Sequence, residues 1–315
     1  MALSSVLPAV VAAAVTALTT PIVVRLAVRT GVVDRPGPLK PHDRPVPYLG
    51  GVAVFCGISA VTVGSVHQAV LLPLALALTL GLLDDVVQLP AVPRLVVELG
   101  IGAAVAWVTG PHGLIEGTCV ALTTVVLINA VNLVDGIDGL ALGMCAVTGL
   151  GFALLAPAGW TRFATAVMGA AAGLLVFNRA PAKVYLGDAG SYLLGTAVAL
   201  LASAQWAATG GARGLAVLAA LVGYPLVELV STVARRLLTR RPVFGGDRDH
   251  VYDRFERAGI AKGRVTGMLV AGQAIIAGLA VGGHLLNSAS VPTALVVILV
   301  GAAVMAALPS TSRSP

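Results

Sequence analysis

Charge is what this sequence has least of. Only 11% of its 315 residues are Asp, Glu, Lys or Arg, less than half the roughly 25% of an ordinary soluble domain. Hydrophobic side chains make up 57%, and the mean hydropathy is +0.95. A soluble globular domain and a disordered chain are both excluded by that pairing. The 37 glycines follow no Gly-X-Y period, so a collagen-like rod is excluded too. Aromatics are scarce, at 4%, and are not interleaved with basic residues. The net charge of +6 therefore points to membrane topology and an anionic substrate, with no nucleic-acid partner. The three cysteines, Cys56, Cys119 and Cys145, stand singly in apolar runs, which suits neither a disulfide framework nor a zinc site. No basic region precedes the first apolar run, so that run is expected to stay as a span and not to be cleaved as a signal peptide.

What is there is a row of charge-free intervals. A span needs roughly 20 apolar residues, and the intervals 1–24, 45–83, 95–109, 118–131, 140–156, 163–177, 191–206, 215–234 and 265–312 provide for about eleven. Two of them, 45–83 and 265–312, are long enough for a pair. The expected fold class is all-α, a polytopic integral membrane protein with 1–315 as a single transmembrane domain. With the N-terminus outside and the C-terminus in the cytoplasm, the inside segments become 25–48, 84–94, 132–139, 178–190, 235–264 and the tail. Of the 20 Lys and Arg, only Arg162 and Arg213 then fall outside, as the positive-inside rule requires. The acids keep to the same side although that rule does not govern them. Only Glu116 lies outside, and only Glu98 and Glu228 fall within spans. A cytoplasmic working face explains the bias.

Four segments carry chemistry. Gly81-Leu82-Leu83-Asp84-Asp85 ends an apolar run in two carboxylates, which raise one another's pKa unless donors or a cation stand near. The plainer reading is a solvated helix exit; the functional one is a base or nucleophile, with or without a metal. In the run from Asn129 to Leu140, Asn129 and Asn132 share a helix face, and Asp135 and Asp138 alternate with Gly136 and Gly139. Helix-capping turns are the plainer explanation. In Val184-Tyr185-Leu186-Gly187-Asp188-Ala189-Gly190-Ser191, Asp188 and Ser191 are potential caps of the next helix, whose N-terminus also suits a phosphate. The fourth segment, 235–264, holds Arg248, His250 and Arg254, groups suited to a diphosphate or to a solvated inside loop. Carboxylates, amides and cations on one face suggest Mg²⁺-assisted transfer of a phosphate-bearing group.

In this order the segments resemble the polyprenyl-phosphate N-acetylhexosamine-1-phosphate transferases. Asp34-Arg35-Pro36 with Lys40-Pro41-His42, Pro47-Tyr48-Leu49-Gly50-Gly51 and Gly223-Tyr224-Pro225 extend the likeness over 34–259. The resemblance implies a multi-pass enzyme of the cell membrane, working at the cytoplasmic face. It would move a sugar 1-phosphate, GlcNAc-1-phosphate by preference, from a UDP-N-acetylhexosamine to polyprenyl phosphate and release UMP. It implies Mg²⁺, or Mn²⁺ in its place, and it leaves a homodimer open. Carried over position by position, Asp84 and Asp85 are the acidic pair near the lipid phosphate. Asp188 is the principal metal ligand, with Asn132 as a second. Asn129, Asp135 and Asp138 are nucleotide-side residues, Tyr185 stacks on uracil, and Arg248, His250 and Arg254 face the diphosphate and sugar. Three positions depart from the pattern. His250 is followed by Val251, Tyr252 and Asp253 where the family often runs in histidines; Gln88 stands where the muramoyl-pentapeptide branch tends to carry Lys; Glu228 replaces a common Asp. The first two lean toward the GlcNAc-1-phosphate branch and away from phospho-N-acetylmuramoyl-pentapeptide transferase. A lipid-phosphate transporter or flippase, the rival of another class, would place its ionisable groups at mid-membrane, where only Glu98 and Glu228 approach.

Overall fold

The computed structural model describes residues 3–36, 44–110, 113–157, 159–245 and 248–286. Lys40-Pro41-His42, Asp43, Asp247, and the stretch from 287 onward with the eleventh expected span lie outside the described residues. Helices α1 (Leu3–Thr30), α2 (Gly50–Thr62), α3 (Leu71–Val87), α4 (Ala91–Thr109), α5 (Leu114–Val134) and α6 (Leu140–Leu155) are followed by α7 (Trp160–Asn178) and α8 (Gly187–Thr209). Then come α9 (Gly211–Leu238), the short α10 (Val251–Arg257) and α11 (Lys262–Leu285). Two short strands, β1 (Val33–Asp34) and β2 (Val46–Pro47), pair antiparallel. Among the described residues, eight helices are long and apolar enough to cross a membrane, whereas α2 and α6, at 13 and 16 residues, fall short of that length. The chain is an all-α polytopic membrane protein.

Its outward faces carry bare apolar side chains such as Leu18 and Trp107, as a lipid environment requires. The hub is α8, buried almost without interruption from Gly187 to Gln205 and packed against α2, α3 and α5. Several helix ends differ from the expected limits, three of them at charges of the site end. Helix α3 continues through Asp84 and Asp85 to Val87, α8 begins four residues before Ser191, and α9 runs on through Arg235 and Arg236. Counting charge-free residues ends a span at its first charge, yet these charges all have partners and the helices need not stop for them. Gln88 then closes α3 in the left-handed region, φ 56°, its N–H bonded to the Asp84 carbonyl at 2.9 Å.

Pro225 interrupts α9 because it has no N–H to donate. The carbonyl of Leu221 accepts instead from Thr148 of α6 and Gln273 of α11, both at 2.8 Å, and Gln273 accepts from the N–H of Tyr224. The segments expected to face inward meet at one end of the bundle. Gly50 N–H bonds to Tyr185 O, Gly139 N–H to Asn178, and Ala182 N–H to Asp138.

Candidate active site

The site grows from the contact between α3 and α8. Gly81 lets the two backbones touch: a Cβ there would fall against Asp188 and Ala189. Asp85, one turn further on, reaches across to the first turn of α8 and accepts the N–H groups of Asp188 and Ala189 at 2.9 and 3.1 Å. These are donors that a helix start leaves unpaired. The phosphate-binding start expected for α8 is therefore already occupied by a carboxylate, and the capping role weighed for Asp188 and Ser191 is not taken up. Gly187, at φ +73°, makes the turn into α8 that brings these groups to Asp85.

Above this junction opens a polar cavity of about 380 Å³. Asp85, Asn132, Asp135, Asp138, Tyr185, Asp188, Arg248 and His250 all line it, so eight of the eleven expected residues are brought together. Asn132 donates to Asp188 Oδ1 at 2.6 Å and to Ser191 Oγ at 3.1 Å, which fixes the carboxylate's rotation. Asp138 accepts from the N–H of Ala182 at 3.0 Å. Asp135 is held well above the usual carboxylate range, first by burial and then by the carboxylates of Asp188, Asp85 and Asp138. Burial and Asp138 push the Tyr185 phenol up to about 12. Tyr48 faces Tyr185 with ring centres 6.2 Å apart and hydrogen-bonds to Asp34.

His250 is set by a residue that was noticed in the sequence but not placed in the site. Glu228, fully buried on α9, lies 2.9 Å from His250 Nδ1 and accepts the Tyr224 hydroxyl at 2.9 Å. Tyr252 stacks on the imidazole, centres 5.2 Å apart and rings 8° from parallel, and donates to Leu133 O at 3.2 Å. Asp253 accepts the His250 N–H at 3.1 Å. Val251-Tyr252-Asp253, which replaces the usual histidines, thus builds the seat of the one that remains. Arg254 does not reach the cavity; with Arg235 and Arg257 it surrounds the buried Asp249 at 3.3, 3.6 and 2.6 Å. Lys262, Asp34 and Tyr48 were also missed as lining residues. Asp34 and Tyr48 sit in segments that carry the family likeness, whereas Lys262 had no signal beyond its charge.

Asn129 and Asp84 are the other two residues that stand apart. A groove of about 430 Å³ runs between α4, α5 and α9, and Arg94, Asn129, Asn132, Leu133, Arg236 and His250 are on its walls. Val126 on its wall also lines a separate apolar pocket of about 410 Å³ between α5, α8 and α9. Asn129 thus faces the groove and not the polar cavity, and donates to Glu98 at 2.6 Å. Asp84 opens on neither space. Its oxygens accept from Leu89 N–H at 2.7 Å and the Tyr192 hydroxyl at 2.5 Å.

Three relatives are similar over most of their length. Decaprenyl-phosphate N-acetylglucosaminephosphotransferase of Mycobacterium tuberculosis is 30% identical over 297 residues, covering 76% of this chain and 72% of the relative. Undecaprenyl-phosphate alpha-N-acetylglucosaminyl 1-phosphate transferase of Thermotoga maritima is 33% identical over 236 residues, 73% of this chain and 75% of its own. The Escherichia coli protein of the same name is 28% identical, with 82% and 78% covered. The model of glycosyl transferase family 4 matches residues 67–205. The chain belongs to glycosyl transferase family 4. It is a glycosyl-1-phosphate transferase. The match to the family 4 model takes in both aspartates of α3, the Asn-Asp turn and Asp188, and ends before Glu228 and His250.

Metal chemistry is the remaining question for a family 4 site. Among the described residues, no three His, Cys, Asp or Glu side chains converge closely enough to hold an ion by themselves. Mg²⁺ asks less than that: one or two carboxylates, with waters and substrate phosphates in its other positions. Asp188 and Asn132, on a cavity that Asp85, Asp135 and Asp138 also line, fit a cation on those terms.

Proposed function

We propose that this chain transfers GlcNAc-1-phosphate from UDP-GlcNAc to undecaprenyl or decaprenyl phosphate at the cytoplasmic face of the cell membrane, with Mg²⁺. The observation that carries the reading is a shared wall. Asn132, Leu133 and His250 line both the polar cavity and the groove. The two spaces are opposite in character, one ringed by five aspartates, the other lined by Arg94 and Arg236 with no acid and sharing Val126 with an apolar pocket. A water-soluble nucleotide that arrives with a cation suits the first. A phosphate on a long apolar chain suits the second, and the reactants meet at Asn132 and His250. The names of the relatives supply the sugar and the lipid.

In the reaction a P–O bond forms between the acceptor phosphate and the β-phosphorus of the donor. The bond from that phosphorus to the bridging oxygen breaks, and UMP leaves with the electron pair. Phosphoryl transfer of this kind is mostly positioning and charge neutralisation. Mg²⁺ held by Asp188, with Asn132 beside it, supplies the neutralisation when bound. Tyr185, opposite Tyr48, offers a ring to the uracil. Glu228 turns His250 so that Nδ1 faces inward, which leaves Nε2 for the diphosphate. Arg248 and Lys262 add positive charge on the same cavity.

The test is UMP release by purified protein given UDP-GlcNAc, polyprenyl phosphate and Mg²⁺. Turnover should need all three, stop with chelator, and fail with UDP-N-acetylmuramoyl-pentapeptide as donor. Asp188→Asn should keep the fold and lose nearly all turnover, since an amide holds Mg²⁺ far less well than a carboxylate. Protein that moved lipid phosphate across vesicles yet released no UMP from any UDP-sugar would overturn the reading.

A further inference from the structure

Asp84 and Asp85 stand together in the sequence but serve different neighbours. Asp85 opens on the polar cavity. Asp84 is 5% exposed, and beyond the Leu89 and Tyr192 bonds its remaining partner is Arg94, Nη1 to Oδ2 at 3.4 Å. Glu98 faces Arg94 from the other side as a charge neighbour, Nε to Oε1 at 3.5 Å without a hydrogen bond, and the guanidinium lies 6.0 Å from the centre of the Tyr192 ring. Glu98 is fully buried and is itself fixed by Asn129. Arg94 is thereby aimed by buried partners, while its side chain stays 21% exposed on the groove wall. Neither carboxylate engages Nη2.

Burying two acids around one arginine carries a desolvation cost that packing alone would not call for. The arrangement makes sense if the cation has further work. A guanidinium presents a planar fork that matches two oxygens of a phosphate, and the groove is the surface it presents that fork to. We infer that Arg94 is the anchor for the acceptor's terminal phosphate monoester, and that Asp84 is a positioning residue acting through Arg94 and not a group that touches the reacting atoms. The inference rests on the proposal that the groove is the acceptor's path.

The experiment compares binding of farnesyl phosphate with binding of farnesol to the purified full chain in detergent, so that the ratio reads the phosphate alone. Wild-type protein should favour the phosphate by about tenfold or more, the scale of a charge-assisted contact. Arg94→Ala should lose most of that preference, Arg94→Lys should keep part of it, and Asp84→Asn should lose several-fold. UDP-GlcNAc affinity should stay unchanged in all three. In turnover the KM for lipid phosphate should rise while the KM for the UDP-sugar does not. Should Arg94→Ala fail to accumulate in the membrane, Arg94→Gln, which keeps the stem and loses the charge, carries the same reading. Variants that melt earlier yet keep the wild-type preference would overturn the inference. So would Asp84→Asn protein that loses turnover with the preference intact, because Asp84 would then act on the reacting atoms. Wild-type protein with no preference for the phosphate would count against the groove as acceptor path and so against the proposed function. Wild-type turnover with Arg94 variants unaffected would sink this inference alone.

Discussion

Asp135 ties the chemistry of the cavity to its pH behaviour. Burial, then its carboxylate neighbours, keep a proton on it well above the usual range, whereas an unfolded aspartate loses that proton near about pH 3.9. Between those two values the folded state binds more protons than the unfolded one, so stability falls as pH rises. With chelator present, the melting temperature should decline across that window, and Asp135→Asn, which has no proton to lose, should flatten the decline. An unchanged slope in that variant would place the charge crowding elsewhere. At this scale the sequence was generous with donors and poor on orientation. Asn132, Asp135, Asp138, Asp188 and His250 could be named from their spacing and family likeness, and they do share one cavity. Asn129, three residues from Asn132, shares its helix but belongs to the groove. Arg254, on α10 and after the non-helical Arg248, is held by Asp249 away from the cavity. Side-chain partners decide such cases: Glu98 on α4, 31 residues away, for Asn129, and Asp249, five residues away, for Arg254.

Helices met expectation where apolarity governs and departed from it at charges, among them ones with a buried partner. Intervals without charge marked the helices well, because only helices satisfy a lone chain's backbone in lipid. Their ends at Asp84, Gly187 and Arg235 were misjudged for one reason: the charges lie within the helices and are paired there. The close approach of α3 to α8 was invisible, since nothing marks Gly81 out among the chain's 37 glycines. That contact can be tested directly. Gly81→Val drives a branched side chain into the α8 backbone, and overpacking of this kind costs about 1–3 kcal/mol. Melting temperature should drop and turnover should drop with it, as Asp85 is lifted from the start of α8. Gly100→Ala on α4, where a Cβ meets open space, is the control and should do neither. Equal effects from the two would mean that the α3–α8 contact is not what sets the site.

For the molecule as a whole, orientation in the membrane is the consequence most open to measurement. In a background lacking Cys56, Cys119 and Cys145, Gly245→Cys at the site end should be reachable only from the cytoplasm. Gly210→Cys, between α8 and α9 at the other end, should react with an impermeant reagent added to intact cells. The reverse pattern would put the cavity where no UDP-sugar is supplied. One turn of α3 sets a further condition on the whole machine. Neighbouring residues leave a helix about 100° apart, so Asp84 looks toward the groove side and Asp85 toward the cavity side as a matter of peptide geometry. The separation between the polar cavity and the groove wall at Arg94 is then a ruler cut into the main chain, and no loop movement or side-chain exchange elsewhere can lengthen it. A single residue inserted at that turn would rotate the two aspartates out of their separate neighbourhoods together, while every other group in the site stayed where it was.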